Sequence, residues 1–188
     1  MKKLFFISCL IIVSSVCKAQ LSFNFSNGLT LIGEGDYKGY YLENSLDIPI
    51  KGNLYLTTSI GFTMSFNSNE EYEERWHNSA YAEIRAPLKY VVIKTSKVGV
   101  AVGCGPSARL RNEFFPYYSH KTYYNDGSYA YDIDYEMNTR IDLGYTIEAN
   151  LLAYTNRKLS YGLNAAMNMY NSGSQLFIVC FSLKYSLK

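Results

Sequence analysis

Phe177-Ile-Val-Cys-Phe-Ser-Leu-Lys-Tyr-Ser-Leu-Lys188 closes the sequence. Phe177, Val179, Phe181, Leu183, Tyr185 and Leu187 take every second position. Ile178, Cys180, Ser182, Lys184, Ser186 and Lys188 take the others. A period of two places the first set on one face of a strand. That face is an unbroken row of large apolar side chains. The other is mixed.

The opposite end of the chain sets the context. Lys2 and Lys3 precede an apolar run from Leu4 to Val13, and Cys17-Lys18-Ala19 follows. This is the pattern of an export signal, with cleavage predicted after Ala19. The run is too short for a retained membrane helix. A lipoprotein anchored through Cys17 is the alternative, but Ser14-Ser15-Val16 fits its cleavage box poorly. Removing Lys2, Lys3 and Lys18 leaves 15 basic residues against 16 acidic, a net charge of −1. Such a balance points away from a nucleic-acid partner. No later apolar run is long enough for a transmembrane helix. A membrane role therefore falls to strands, since only helices and closed barrels satisfy their backbone in lipid.

Seven further segments share the alternation of the last. Their apolar rows begin with Phe23, Phe25, Leu29 and Leu31, then Tyr40, Leu42, Leu46, Ile48 and Ile50. Next come Leu54, Leu56, Ile60, Phe62, Met64 and Phe66, and a row from Ala80 through Ile84 and Leu88 to Val92. Val98, Val100, Val102 and Cys104 form the fifth. The sixth runs from Ile141 to Leu151 and the seventh from Leu159 to Met169. Eight strands with connections alternating between short and long predict an all-β, eight-stranded antiparallel up-and-down transmembrane β-barrel spanning residues 20–188. Cys104 and Cys180 differ in parity with respect to their apolar rows, so no disulfide and no metal site is expected.

Charge supports the same division. Glu43, Asp47, Glu83, Arg85, Lys89, Arg109, Arg111, Arg140, Asp142 and Glu148 all have the parity opposite to the apolar rows. A soluble sandwich or lipocalin-like barrel would bury the apolar face and place these charges in water. In the transmembrane alternative they face a lumen that eight strands leave only wide enough for side chains. Five bases and five acids then read as a paired network filling the lumen, not as a selective pore.

Tyr81-Ala-Glu-Ile-Arg-Ala-Pro-Leu-Lys-Tyr90, followed by Val98-Gly-Val-Ala-Val-Gly-Cys-Gly-Pro106, resembles the outer-membrane β-barrel domain family common in Bacteroidetes, small barrels of the OmpA/OmpX-like and PorT-like kind. The resemblance implies fold and an outer-membrane location. It implies no reaction, because most of that family has none assigned.

Function is expected outside the wall. Phe114, Phe115, Tyr117, Tyr118, Tyr123, Tyr124, Tyr129, Tyr131 and Tyr135 crowd residues 112–136 around the turn signal Asn125-Asp126-Gly127. Strands five and six are expected to continue there as a protruding hairpin, presenting an edge or aromatic anchors to a partner. An interfacial aromatic belt is the simpler alternative. On the lipid face Asn27, Asn44 and Thr58 interrupt the rows. A register centred on residue 35.5 for the first strand pair, and on 51 for the second, would align them as a polar row, a candidate contact with a membrane partner. Glu70, Glu71, Glu73 and Glu74 beside Arg75, Trp76 and His77 read as a solvated loop without metal-ligand spacing. His77 and His120 fall in predicted loops, and Ser119 merely adjoins His120, so no nucleophile–base arrangement is evident. The sequence thus predicts a non-enzymatic barrel without cofactor, in contact with outer-membrane lipid and a membrane or surface protein. A lipid- or small-molecule-binding barrel is the runner-up, and a lipid A-modifying enzyme stands behind it.

Overall fold

The computed structural model describes residues 21–33, 37–68, 76–124, 126–155 and 158–187. The predicted export signal and the four glutamates from Glu70 to Glu74 lie outside these residues, as does Arg75. Nine strands follow in chain order: β1 (Ser22–Ile32), β2 (Tyr37–Lys51), β3 (Leu54–Ser68), β4 (Trp76–Arg85), β5 (Leu88–Lys94), β6 (Val98–Tyr123), β7 (Tyr129–Tyr154), β8 (Leu159–Tyr170) and β9 (Gln175–Ser186). All pairings are antiparallel, and β9 returns to β1 from Ser22↔Ser186 to Ile32↔Leu176. The ring is closed, which removes the free edges that lipid does not tolerate.

β4 and β5 are halves of one stave, so the ring has eight staves. Against β3 they keep one register, with Ser59↔Arg85 and Leu56↔Leu88. Against β6 they do the same, with Arg85↔Ser107 and Leu88↔Cys104. The break falls at Ala86-Pro87. The Thr57 N–H donates to the Pro87 carbonyl at 2.9 Å, and Pro87 has no N–H to return. Gly105 lies against this notch; a Cβ there would stand 2.4 Å from the Ala86 carbonyl oxygen.

Two registers differ from the sequence expectation by two residues each. β1 meets β2 with Ile32↔Tyr37, so Asn27 faces Leu42, not Asn44. The connection is shorter than the expected 33–38 because β2 already begins at Tyr37 and Gly33 turns the chain with φ 72°. β2 meets β3 across Gly52-Asn53, with Lys51↔Leu54, and the register shifts between Pro49 and Lys51. Asn44 therefore faces Ile60, and Thr58 faces Leu46. The expected row of directly opposed polar residues does not form. The three remain diagonal neighbours on the outer face, two residues apart at each step.

Polarity is inverted relative to a protein folded in water. Leu29 is 70% exposed and Ile141 71%, with Phe62, Leu163, Phe181 and their neighbours exposed around the whole ring. Arg85 and Arg109 are each 1% exposed. A continuous apolar exterior of this extent is stable against lipid and not against water. The soluble alternative, with its apolar face inward, is overturned by this arrangement.

The two thiols among the described residues report the two faces directly. Cys104 is exposed on the apolar exterior and Cys180 is buried in the lumen; both are free. In the folded, detergent-solubilised barrel of residues 20–188, an uncharged maleimide is expected to label Cys104 alone. Both should react after heat unfolding. Labelling of Cys180 in the folded state at a rate similar to Cys104 would contradict the assignment of faces.

Candidate functional site: a filled lumen and a protruding hairpin

Alternation sends every second side chain inward, and the inward glycines decide which large ones fit. A Cβ on Gly61 would collide with the Tyr41 hydroxyl. One on Gly103 would lie 2.9 Å from the Lys89 Cγ and 3.3 Å from the Glu148 Cγ. Small residues on one stave thus leave room for long ones on the next.

Nine of the ten predicted lumen charges are buried. Arg85 ion-pairs with Glu43 and lies 3.9 Å from Glu148. The Tyr41 hydroxyl donates to Glu43 at 2.7 Å, and its ring lies 5.7 Å from the Arg85 guanidinium. Lys89 pairs with Glu148 at 2.7 Å and approaches Asp47 at 4.0 Å. Asp47 also accepts from Thr57 at 2.6 Å and from Lys184 at 2.6 Å.

A second group lies toward the hairpin end. Arg109 donates from Nε and Nη2 to one oxygen of Asp142, at 3.0 and 2.9 Å. Its guanidinium stacks between Tyr81 and Tyr170, 4.8 and 4.0 Å from the ring centroids. Glu83 accepts from Asn168 at 2.6 Å and from the Tyr170 hydroxyl. Arg111 reaches Glu113 at 3.2 Å and Asp142 at 3.6 Å. Ile32, Leu176, Ile178, Cys180 and Ala166 complete an apolar cluster with Tyr41, Tyr81 and Tyr170.

Arg140 departs from the prediction. It has the inward parity but is exposed, and touches Asp142 at 3.5 Å from the mouth. The reason is the register: Arg140 lies four residues beyond Gly144↔Tyr170, where β8 ends, so β7 is flanked only by β6 at that height. Lys184 supplies the inner cation in its place. Lys184, Tyr41, Tyr81, Asn168 and Tyr170 were not predicted for the network. Their parity was the available signal, since each falls opposite to its apolar row.

The hairpin is the second element. β4 leaves β6 at Asn78↔Phe114, and β8 leaves β7 at Gly144↔Tyr170. β6 and β7 continue pairing with each other to Tyr123↔Tyr129. At about 3.3 Å per residue, the stretch from Phe114 to Tyr123 extends roughly 30 Å beyond the neighbouring stave. The register shifts between Pro116 and Tyr118. Phe114 stacks on Tyr135 with centroids 4.6 Å apart. Residues 134–141 are exposed on both faces. Phe115, Tyr117, Tyr118, Tyr129 and Tyr131 lie on the paired backbone, and their side chains fall outside the described residues, as do those of Trp76, His77, Ser119 and His120. Among the described residues no cluster of His, Cys, Asp and Glu suits a metal ion.

No family model and no curated protein matches the chain. Solved structures do share its fold. Neisserial surface protein A is 10% identical with a TM-score of 0.63, covering 89% of this chain and 97% of that one. Ail, the attachment invasion locus protein of Yersinia pestis, seen in complex with the heparin analogue sucrose octasulfate, is 9% identical with a TM-score of 0.59, covering 90% and 99%. The outer membrane enzyme PagL is 11% identical with a TM-score of 0.51, covering 87% and 99%. At these identities the likeness is one of fold: this chain is similar to small outer-membrane barrels.

Removing one member of a buried ion pair strands the other charge, which costs about 3–5 kcal/mol. Arg85→Met, which strands Glu43, is expected to lower unfolding stability in urea by about that amount. Adding Glu43→Gln should restore about 1 kcal/mol or more, because the stranded charge is gone. Simple additivity of the two losses would show that the pair is uncoupled.

Proposed function

We propose that this chain is a non-enzymatic outer-membrane barrel that works through its β6–β7 hairpin, in surface interaction or within a larger envelope complex. One observation carries the reading. A ribbon of two paired strands, exposed on both faces along residues 134–141, extends from a wall that is otherwise complete. An isolated two-stranded hairpin is marginal in water. A ribbon of this length, carrying Phe114, Tyr123, Tyr124, Tyr135 and Met137 on its exposed surface, therefore suits a docked partner. The tip is ordered for presentation. Gly127 adopts φ 84°, and Asp126 accepts from the Ser128 hydroxyl at 2.6 Å and from its N–H at 2.9 Å. These bonds hold the Asp126 carboxyl below its usual range.

Asn27, Asn44 and Thr58 belong to the same proposal as a secondary contact with a membrane partner. Their diagonal spacing on the exterior keeps them within reach of one neighbouring surface. Membership in the Bacteroidetes barrel family is likewise proposed, on residues 81–90 and 98–106. The folds of Neisserial surface protein A and Ail, whose names denote surface and attachment roles, support a surface role here. The fold of PagL keeps an enzyme in view; an unchanged lipid A mass profile after deletion of this chain would count against lipid A modification.

Replacing residues 115–136 by an Asn-Gly turn should leave a folded barrel and remove a stoichiometric partner recovered by affinity purification from native membranes. Retention of that partner would refute the hairpin as the site of interaction. The filled lumen has its own test. A planar-bilayer recording should show no stable channel, and steady conductance would contradict it.

A further inference from the structure

The half of the lumen away from the hairpin is not solid. A cavity of about 60 Å³ opens there, at the end that carries the short turns, which in outer-membrane barrels is the periplasmic end. Asp47, Lys89, Lys94, Asn150, Asn164 and Lys184 stand in its wall, with Tyr55 and Tyr154 near the mouth. We propose that this cup binds a small hydroxycarboxylate, a monoanion the size of lactate.

Charge gives the sign of the ligand. The groups lining the cup, together with those that ion-pair with them, hold three carboxylates, Glu43, Asp47 and Glu148. They hold four cations, Arg85, Lys89, Lys94 and Lys184. One positive charge is left over. Each carboxylate already has a cation on the barrel, whereas Lys94 is exposed at the mouth and has no ion pair among the described residues. An anion is attracted to Lys94 without disturbing the pairs below.

Hydrogen bonding gives the second group. Asn150 and Asn164 face each other across β7 and β8. Asn164 is only 4% exposed, yet its Oδ1 accepts no hydrogen bond within the protein, and the buried Nδ2 of Asn150 donates none. Buried polar atoms of this kind ordinarily have partners. The Asn150 amide suits a carboxylate oxygen, and the Asn164 oxygen suits a hydroxyl donor. Size agrees. At about 10–15 Å³ per water centre, the cup holds roughly four to six waters, close to the heavy atoms of a lactate. The Arg85 pairs and the apolar cluster above them close the inner end of the cup.

The test follows the side-chain amide signals of Asn150 and Asn164 in the folded, full-length barrel in nanodiscs. Sodium lactate is titrated at constant ionic strength. Saturable shifts at both amides are expected. Lys94→Ala should weaken binding about tenfold, the loss of one charge-assisted contact. Asn164→Asp, which keeps the shape and adds a negative charge, should abolish it. Three results would each overturn the proposal: no saturation with lactate up to tens of millimolar, equal affinity for chloride, or equal affinity in both variants. The hairpin-deleted barrel should still bind lactate, so this result stands or falls independently of the surface role.

Discussion

A peptide group inside a bilayer has no water to bond, and this constraint governs everything else in the molecule. An unsatisfied N–H or C=O costs several kcal/mol in lipid, so the sheet must close on itself. β9 meets β1 over eleven residue pairs and closes it. Closure then divides the side chains without remainder. Those facing out meet lipid and must be apolar; those facing in share a space too narrow for bulk solvent. The ion pairs of the lumen follow from this division. Inward positions sit away from lipid, and charges held there are tolerable only if they meet one another.

Filling that space is a packing problem shared between neighbouring staves. Tyr41 rises over Gly61, and the Lys89–Glu148 pair crosses Gly103. Arg109 is held by Tyr81 and Tyr170 on its faces and by Asp142 at its edge. Such a site holds a guanidinium by stacking as well as by hydrogen bonds. The two halves of the lumen differ in consequence. Near the hairpin, tyrosines, Leu176, Ile178 and Cys180 close the space with apolar bulk. At the other end Ser26, Ser45 and Ser182 are too small to do so, and a polar cup remains.

Parity was legible in the sequence; register was not. The exposed row from Phe177 to Leu187 stands where the alternation put it, and so do the rows of the other staves. The nine buried charges were identified from parity alone. Register depends on where a turn begins and on single extra residues. Ile50, Val92 and Tyr117 each sit at a shift in pairing, and a two-period pattern carries no mark of such a bulge. Asn27 and Asn44 were therefore placed on the right face and opposite the wrong partners. Arg140 failed for a related reason. Its parity is inward, but the wall on the β8 side has already ended at its height, so the same direction leads to solvent. The inward tyrosines were missed because an aromatic on a membrane strand suggests the lipid face, whereas Tyr41, Tyr81 and Tyr170 are lumen residues.

The hairpin and the lumen are mechanically one object. β6 and β7 stay paired from the short-turn end of the wall to Tyr123↔Tyr129, with one bulge at Tyr117, so the ribbon is a continuation of the wall. Its root is fixed on both faces. Inward, Arg111 and Arg140 face each other, an arrangement that would repel by itself. Asp142 lies 3.6 Å from one and 3.5 Å from the other, and Glu113 takes the remaining side of Arg111. Outward, the Thr139 hydroxyl donates to Asn112, and one step above Phe114 stacks on Tyr135. A ribbon held in this way has little freedom left to lose, and ordering it in any contact would consume less of the contact energy. The charges in the lumen therefore do more than fill space: through Asp142 they brace the strands that continue as the hairpin.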